Sequence, residues 1–156
     1  MSLLPEIAIP HHRLVTALGL TSDGKTLVSA SDNHSMIIWD TEPVKQRSVL
    51  RGHRYTVKAI VFSPDEKFVI SAGHTIRICE VATGRLLHVL GRNDDYHRRL
   101  PRTHDDPEYY DDSETESSDD SDCDVAMTPD GLFVVGIRFD DVHLWNFETG
   151  DKIWMV

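Results

Sequence analysis

Three stretches of the chain repeat one pattern of apolar and polar positions: an apolar run, a polar turn and a second apolar run. They are residues 18–30 (LGLTSDGKTLVSA), 60–72 (IVFSPDEKFVISA) and 125–137 (VAMTPDGLFVVGI). At their centres stand Ser22-Asp23-Gly24, Pro64-Asp65-Glu66 and Pro129-Asp130-Gly131. Proline presets φ, aspartate bonds the backbone ahead of it and glycine accepts positive φ, so each window predicts a β-hairpin. Another β-rich run follows each hairpin and ends in a bulky and a polar residue: MIIWD at 36–40, IRICE at 76–80 and VHLWN at 142–146. Turn residues come next, Thr41-Glu42-Pro43, Ala82-Thr83-Gly84 and Glu148-Thr149-Gly150, ahead of a fourth short run such as 85–90 or 151–156. The pattern predicts three all-β units of four strands each. Asp23 and Asp65 are 42 residues apart and Trp39 and Cys79 are 40 apart, a period too long for ankyrin or leucine-rich units.

Gly52-His53 stands 26 residues ahead of Cys79, and Trp39-Asp40 closes the first unit. With the period, these residues make the chain similar to the WD-repeat family of β-propellers over residues 3–92 and 124–156. The resemblance implies four-stranded antiparallel blades in a partial propeller of about three. Residues 1–10 are then an outer strand of a preceding blade or an N-terminal arm, 11–51 the first blade, 52–92 the second, 93–124 an insertion and 125–156 the third. It also implies a buried hydrogen-bond network in each blade: a His ahead of the first strand, a Ser on the second, an Asp in the following turn and a Trp on the third. Such a set is physically sensible, because polar groups between strands must satisfy one another. In the first unit His11 or His12, Ser31, Asp32 or Asn33, and Trp39 are available, with His12, Ser31, Asn33 and Trp39 the expected set. In the second, His53 and Ser71 match, while Gly73 and Cys79 hold the Asp and Trp positions. The third has Trp145, with Phe139 at the Asp position and Asp140 one place off.

Charge changes the picture at one place. The chain carries a formal charge of −10, and residues 94–124 alone hold thirteen acids against Arg98, Arg99 and Arg102. High charge, few apolar residues and two prolines leave too little burial to offset ordering entropy, so the insertion is expected to be disordered and to emerge at a propeller face. It acts either as a solvating loop or as a binder of basic protein surfaces; direct nucleic-acid binding through it is excluded by repulsion of phosphates. Ser113, Ser117 and Ser121 each have an acid three residues on, Glu116, Asp120 and Asp124. This resembles the substrate pattern of casein-kinase-two-type enzymes, and phosphorylation would add up to about −2 per site.

The chain has no apolar run long enough for a membrane helix and no basic leader, so a soluble, intracellular protein of the cytoplasm or nucleus is expected. Cys79 and Cys123 are far apart and without Cys-x-x-Cys spacing, which predicts neither a disulfide framework nor a thiolate zinc site. His11-His12 and His97 with His104 lack ligand-like partners, so no metal is expected. The acidic run lacks the glycine-bearing spacing of a calcium loop. No nucleophile elbow, phosphate-cradling glycine loop or His-Glu-x-x-His motif occurs, and no catalytic residue or cofactor is assigned.

The leading expectation is therefore a protein–protein interaction scaffold, with Arg13, Asn33, Arg54, Tyr55 and His74 as candidate contacts, since Arg and Tyr anchor interfaces most often. The alternatives are a propeller domain of an enzyme resembling quinoprotein dehydrogenases, and an adaptor in ribosome assembly or chromatin. A ring closes with four or more blades. Three units with a surplus outer strand at 3–9 thus point to a piece of a longer propeller, or to self-association into a ring of about six blades.

Overall fold

The structure, a computed structural model, describes residues 11–91, 122–138 and 141–156. Among them there is no helix, and all strands fall into three four-stranded antiparallel sheets. The first comprises β1 (Val15–Leu20), β2 (Thr26–Ser31), β3 (Met36–Thr41) and β4 (Val44–Leu50). The second comprises β5 (Ala59–Phe62), β6 (Phe68–Ala72), β7 (Ile76–Glu80) and β8 (Leu86–Leu90). The third comprises β9 (Asp124–Met127), β10 (Phe133–Arg138), β11 (Asp141–Asn146) and β12 (Lys152–Met155). In each, the strands lie side by side in chain order. Of the acidic segment 93–124 read as disordered, residues 93–121, with Ser113, Ser117 and Ser121, lie outside the described residues, as do residues 1–10, Phe139 and Asp140, while its last residue, Asp124, opens β9.

The hairpin between the first two strands of each sheet is built the same way. The hydroxyl of Thr21, Ser63 or Thr128 donates to the carboxylate two residues on, at 2.7 Å in Asp23 and 2.6 Å in Asp65, with the equivalent bond in Asp130. The same carboxylate oxygen accepts the amide of Lys25, Lys67 or Leu132. These bonds hold all three carboxyls below the ordinary carboxylate range. The Lys25 amide contributes most at Asp23, and the Ser63 and Thr128 hydroxyls at Asp65 and Asp130. The turn also needs a left-handed residue, supplied by Gly24 (φ 71°), Gly131 (φ 73°) and, without a glycine, Glu66 (φ 57°). A second regularity is a register shift between the third and fourth strands, at Ile38/Trp39, Ile78/Cys79 and Leu144/Trp145. One local program, including its bulge, is run three times.

Strand alternation gives every sheet two faces, and the sheets stack face to face. From the first sheet Val28, Ala30, Met36 and Ile38 meet Val57, Ile60, Val69 and Cys79 of the second. The opposite face of the second, Ile70, Ala72, Ile76 and Ile78, meets Val125, Val134 and Trp145 of the third. Each such Val or Ile, fully buried, contributes about 1.5–3 kcal/mol. The sheets approach closely where glycine omits a side chain: a Cβ on Gly19 would lie 2.8 Å from Ile60 Cγ2, and one on Gly136 would lie 2.3 Å from Ile76 Cδ1. Cross-links complete the stack, with Thr16 Oγ1 donating to the Val57 carbonyl at 2.6 Å and the Ser22 amide to Glu66 Oε1 at 2.6 Å.

The two outer faces of the stack remain partly open. Leu18 and Leu20 of β1, on the side away from the second sheet, are 62% and 59% exposed. On the free side of the third sheet Ile137 is 39% and Trp154 43% exposed.

Filling the space at Gly136 should separate the second and third sheets. Gly136→Val is expected to lower stability by about 2 kcal/mol through overpacking, read from the urea midpoint. Adding Ile76→Ala, which clears the clashing methyl, should recover part of that loss relative to Ile76→Ala alone.

Candidate protein-interaction surface

The first sheet buries a hydrogen-bonded chain at the face turned away from the second. Trp39 Nε1 donates to Ser29 Oγ at 2.9 Å, and Ser29 Oγ lies 2.7 Å from His11 Nε2. Burial holds the His11 imidazole below its ordinary pKa, the Ser29 contact opposing. The Ser29 hydroxyl thus accepts from the indole and shares a second hydrogen bond with the His11 ring. His11 Nδ1 is buried without a hydrogen-bond partner among the described residues.

This corrects the set expected from sequence. The histidine is His11, while His12 is exposed; the hydroxyl is Ser29, while Ser31, though fully buried, takes only the Asn33 amide at 3.4 Å. The reason is parity and offset. Ser29 pairs with Leu18 and Ile37, as Ser71 pairs with Ile60 and Arg77, so the two serines hold the same rung. His11 lies 18 residues before Ser29 just as His53 lies 18 before Ser71, a spacing readable in the sequence. Asn33 instead closes the β2–β3 turn, accepting from the Ser35 amide and hydroxyl at 3.1 and 2.7 Å.

In the second sheet His53 Nε2 lies 2.8 Å from Ser71 Oγ, and Ser71 also donates to the Arg77 carbonyl at 3.4 Å. His53 is lowered to about 4, by burial first and then by the charges of Arg77 and His34. No carboxylate stands at position 73 because a Cβ there would lie 2.9 Å from the Thr56 carbonyl oxygen. Cys79 occupies the rung of Trp39 and is buried in the seam against the first sheet; burial pushes its thiol pKa up. The third sheet replaces the serine with Gly136 and stacks His143 on Trp145, ring centroids 5.2 Å apart and planes 13° from parallel. Sequence reading missed His143, whose position on β11 has no counterpart in the WD pattern.

These networks sit beneath one end of the stack, formed by the segments before β1 and β5 and by the β2–β3 and β6–β7 turns. All five candidate contacts are placed at this end. Arg13, Arg54 and Tyr55 are exposed, and Tyr55 packs on His74 with ring centroids 4.7 Å apart. Asn33, the fifth, is exposed but committed to its own turn. The end is rigid: Thr56 Oγ1 donates to Asp32 Oδ1 of the neighbouring sheet at 2.8 Å, and the Asp32 amide donates to the Leu14 carbonyl at 2.9 Å. Arg77, unnoticed in the sequence, donates to the Gly52 carbonyl, and its guanidinium fills the space a side chain at Gly52 (φ 121°) would need. Among the described residues no three His, Cys, Asp or Glu side chains gather as metal ligands do.

The architecture defines the class, an all-β repeat protein of stacked four-stranded blades. Residues 5–40 and 44–79 match the family described as WD domain, G-beta repeat, so this part of the chain carries two WD repeats. The second matched repeat is offset from the sheets, supplying β4 to the first blade and β5, β6 and β7 to the second. Three relatives share the similarity. A WD repeat-containing protein WDS homolog of Arabidopsis thaliana is 29% identical over 93 residues, 56% of this chain and 18% of its own length. Elongator complex protein 2 of Schizosaccharomyces pombe is 32% identical over 84 residues, 49% of this chain and 11% of its own. A Chromatin assembly factor 1 subunit FAS2 homolog of Oryza sativa subsp. japonica is 34% identical over 70 residues, 44% of this chain and 14% of its own. The chain thus spans less than a fifth of these relatives.

Ser29→Ala strands the buried Trp39 indole and His11 ring and should cost about 2–3 kcal/mol, whereas Ser71→Ala removes one short bond, to His53, and one long bond, to the Arg77 carbonyl, and should cost about 1 kcal/mol; urea unfolding of both variants measures the difference. Stability should also fall with acid. The unfolded chain binds a proton at His53 near pH 6.5, the folded one only near 4, so stability is full above pH 6.5 and declines between 6.5 and 4. A decline of about 2 kcal/mol is expected, and His53→Gln should reduce it; a pH series of urea midpoints reads the effect.

Proposed function

We propose that the chain is a protein-interaction scaffold whose contact surface is the end of blades 1 and 2 bearing Arg13, Arg54, Tyr55 and His74. The observation that carries this reading is the combination of accessible arginine and aromatic side chains with a backbone fixed by bonds between blades, here Thr56 to Asp32 and Thr16 to Val57. A rigid framework lowers the entropy lost on docking, and arginine and tyrosine are the residues that anchor interfaces. The two matched WD repeats support it, as do the two relatives named for a complex and for an assembly factor. The same names support an adaptor role in the nucleus or cytoplasm.

Within this reading the acidic segment 93–124 is a second contact element, for basic protein surfaces, and Ser113, Ser117 and Ser121 are sites where phosphorylation strengthens it. The blade limits 11–51, 52–92 and 125–156 are proposed as the units that present these surfaces. The partly open outer faces are proposed to be covered by further blades, of a longer chain or of a second copy.

Photo-crosslinking from Tyr55 and Arg13 positions in cells, read by mass spectrometry, tests the surface. Arg13→Ala/Arg54→Ala/Tyr55→Ala should remove most crosslinked partners from the full chain while leaving its urea midpoint within about 0.5 kcal/mol of the parent. An unchanged partner set would remove this surface from the proposal.

A further inference from the structure

We infer that the interaction end of blades 1 and 2 takes a short, extended acidic segment of another protein. This rests on the scaffold reading and specifies its partner. The first observation is the state of the arginines. At the opposite end of these two blades acids and bases are interspersed, Asp23, Asp40, Asp65 and Glu80 among Lys25, Arg47, Lys67 and Arg85, and Arg47 pairs with Asp40 and Lys67 with Asp65 at 3.9 Å. At the interaction end, Arg13, Arg51 and Arg54 are exposed and form no ion pair with any described carboxylate. The one acid beside them on these two blades, Asp32, has an oxygen occupied by Thr56. Among the described residues of these two blades, three solvated guanidinium groups around a rigid edge face the single carboxylate of Asp32 and give a local positive field, and a guanidinium pairs with a carboxylate or phosphate in bidentate geometry.

The second observation sets the size of the ligand. Arg13 and Arg54 precede β1 and β5 at nearly equivalent places, one and two residues past the histidines His53 and His11, and β1 and β5 are neighbouring inner strands of stacked sheets. Stacked sheets lie about 10 Å apart, which is three residues of extended chain at about 3.3 Å each. An extended peptide with acids at positions i and i+3 therefore reaches both arginines, with the Tyr55 ring, tilted against His74, as an apolar contact for the residues between. The same end of blade 3 carries Asp122, Asp124 and Asp141, so the positive field stops after two blades. A long polyanion tracking the edge would run onto these carboxylates, whereas a segment of a few residues would not. This favours an acidic peptide over nucleic acid.

The test is fluorescence anisotropy with the full chain and three labelled probes at 50 mM salt: a dodecapeptide with Glu at every third position and Gly-Ser between, its Lys counterpart, and a dodecamer of thymidylate. Binding of the Glu peptide is expected to weaken at least tenfold in Arg13→Glu/Arg54→Glu and at 300 mM salt, and to be unchanged in Lys25→Glu/Lys67→Glu at the opposite end. Circular dichroism and urea midpoints equal to the parent show that each variant is folded. Equal binding by the Arg13→Glu/Arg54→Glu variant, or none by the parent, overturns the inference; tighter binding of the thymidylate than of the Glu peptide replaces it with a nucleic-acid ligand. If the Glu peptide fails while crosslinks through Tyr55 persist, the scaffold reading stands and only its partner class falls. If both fail, the surface itself is not a docking site.

Discussion

Sheet-on-sheet packing is the constraint from which the rest of the molecule follows. A four-stranded antiparallel sheet with apolar residues on both faces cannot satisfy them alone, and the middle blade shows the solution: Val69 and Cys79 turn toward one neighbour, Ile70 and Ile78 toward the other. Bringing sheets this close traps whatever polar atoms lie on the same faces. Ser71 and His53 are hydrogen-bonded in the space between the first two sheets, and Ser29, His11 and Trp39, buried on the outer face of the first sheet, satisfy one another for the same reason, that an unmatched buried hydroxyl or indole is costly. The close approach also dictates where side chains vanish. Gly136 occupies the rung that is serine in the other two blades, and the room it leaves is taken by Ile76 and the Trp145 ring.

Much of the fold was legible because local rules and the global pattern agree. The apolar alternation located the hairpins, and the turn triplets with their Ser/Thr two places before Asp supplied each connection with its own hydrogen bonds. The bulge that precedes each fourth strand was not legible, since no residue type marks it: Trp39, Cys79 and Trp145 sit at it with different chemistry. The choice of Ser31 over Ser29 illustrates a different limit. A one- or two-residue slip along a strand changes which partner a side chain meets, and the β2–β3 turn is two residues longer in the first blade than the corresponding turn in the second. Counting back from Trp39 therefore misleads, whereas counting forward from the histidine does not.

For the interaction end, sequence supplied residue types at loop positions, and these positions converge because connections on one side of every blade emerge together. Arg13, Arg54, Tyr55 and His74 were visible in this way. Arg77 was not, since it lies on a strand and acts through the backbone of Gly52, and the contrast between engaged and unengaged arginines requires knowing which carboxylates stand nearby. The offset between matched repeats and blades adds rigidity of its own. Because β4 belongs to the same repeat as β5, β6 and β7, the Gly52-His53 segment that joins them is anchored in two sheets at once.

Glu66 shows what such coupling does to a repeat. In the position where the other two hairpins place glycine, it holds a left-handed backbone that is unfavourable for a side chain, and its carboxylate receives the amide of Ser22 in the adjacent blade. The strain is local while its compensation lies in a neighbour, so the second hairpin cannot be exchanged with the first or third without loss. The second hairpin is specific to its place in the order, and the order of blades is thereby written into the turns as well as into the core.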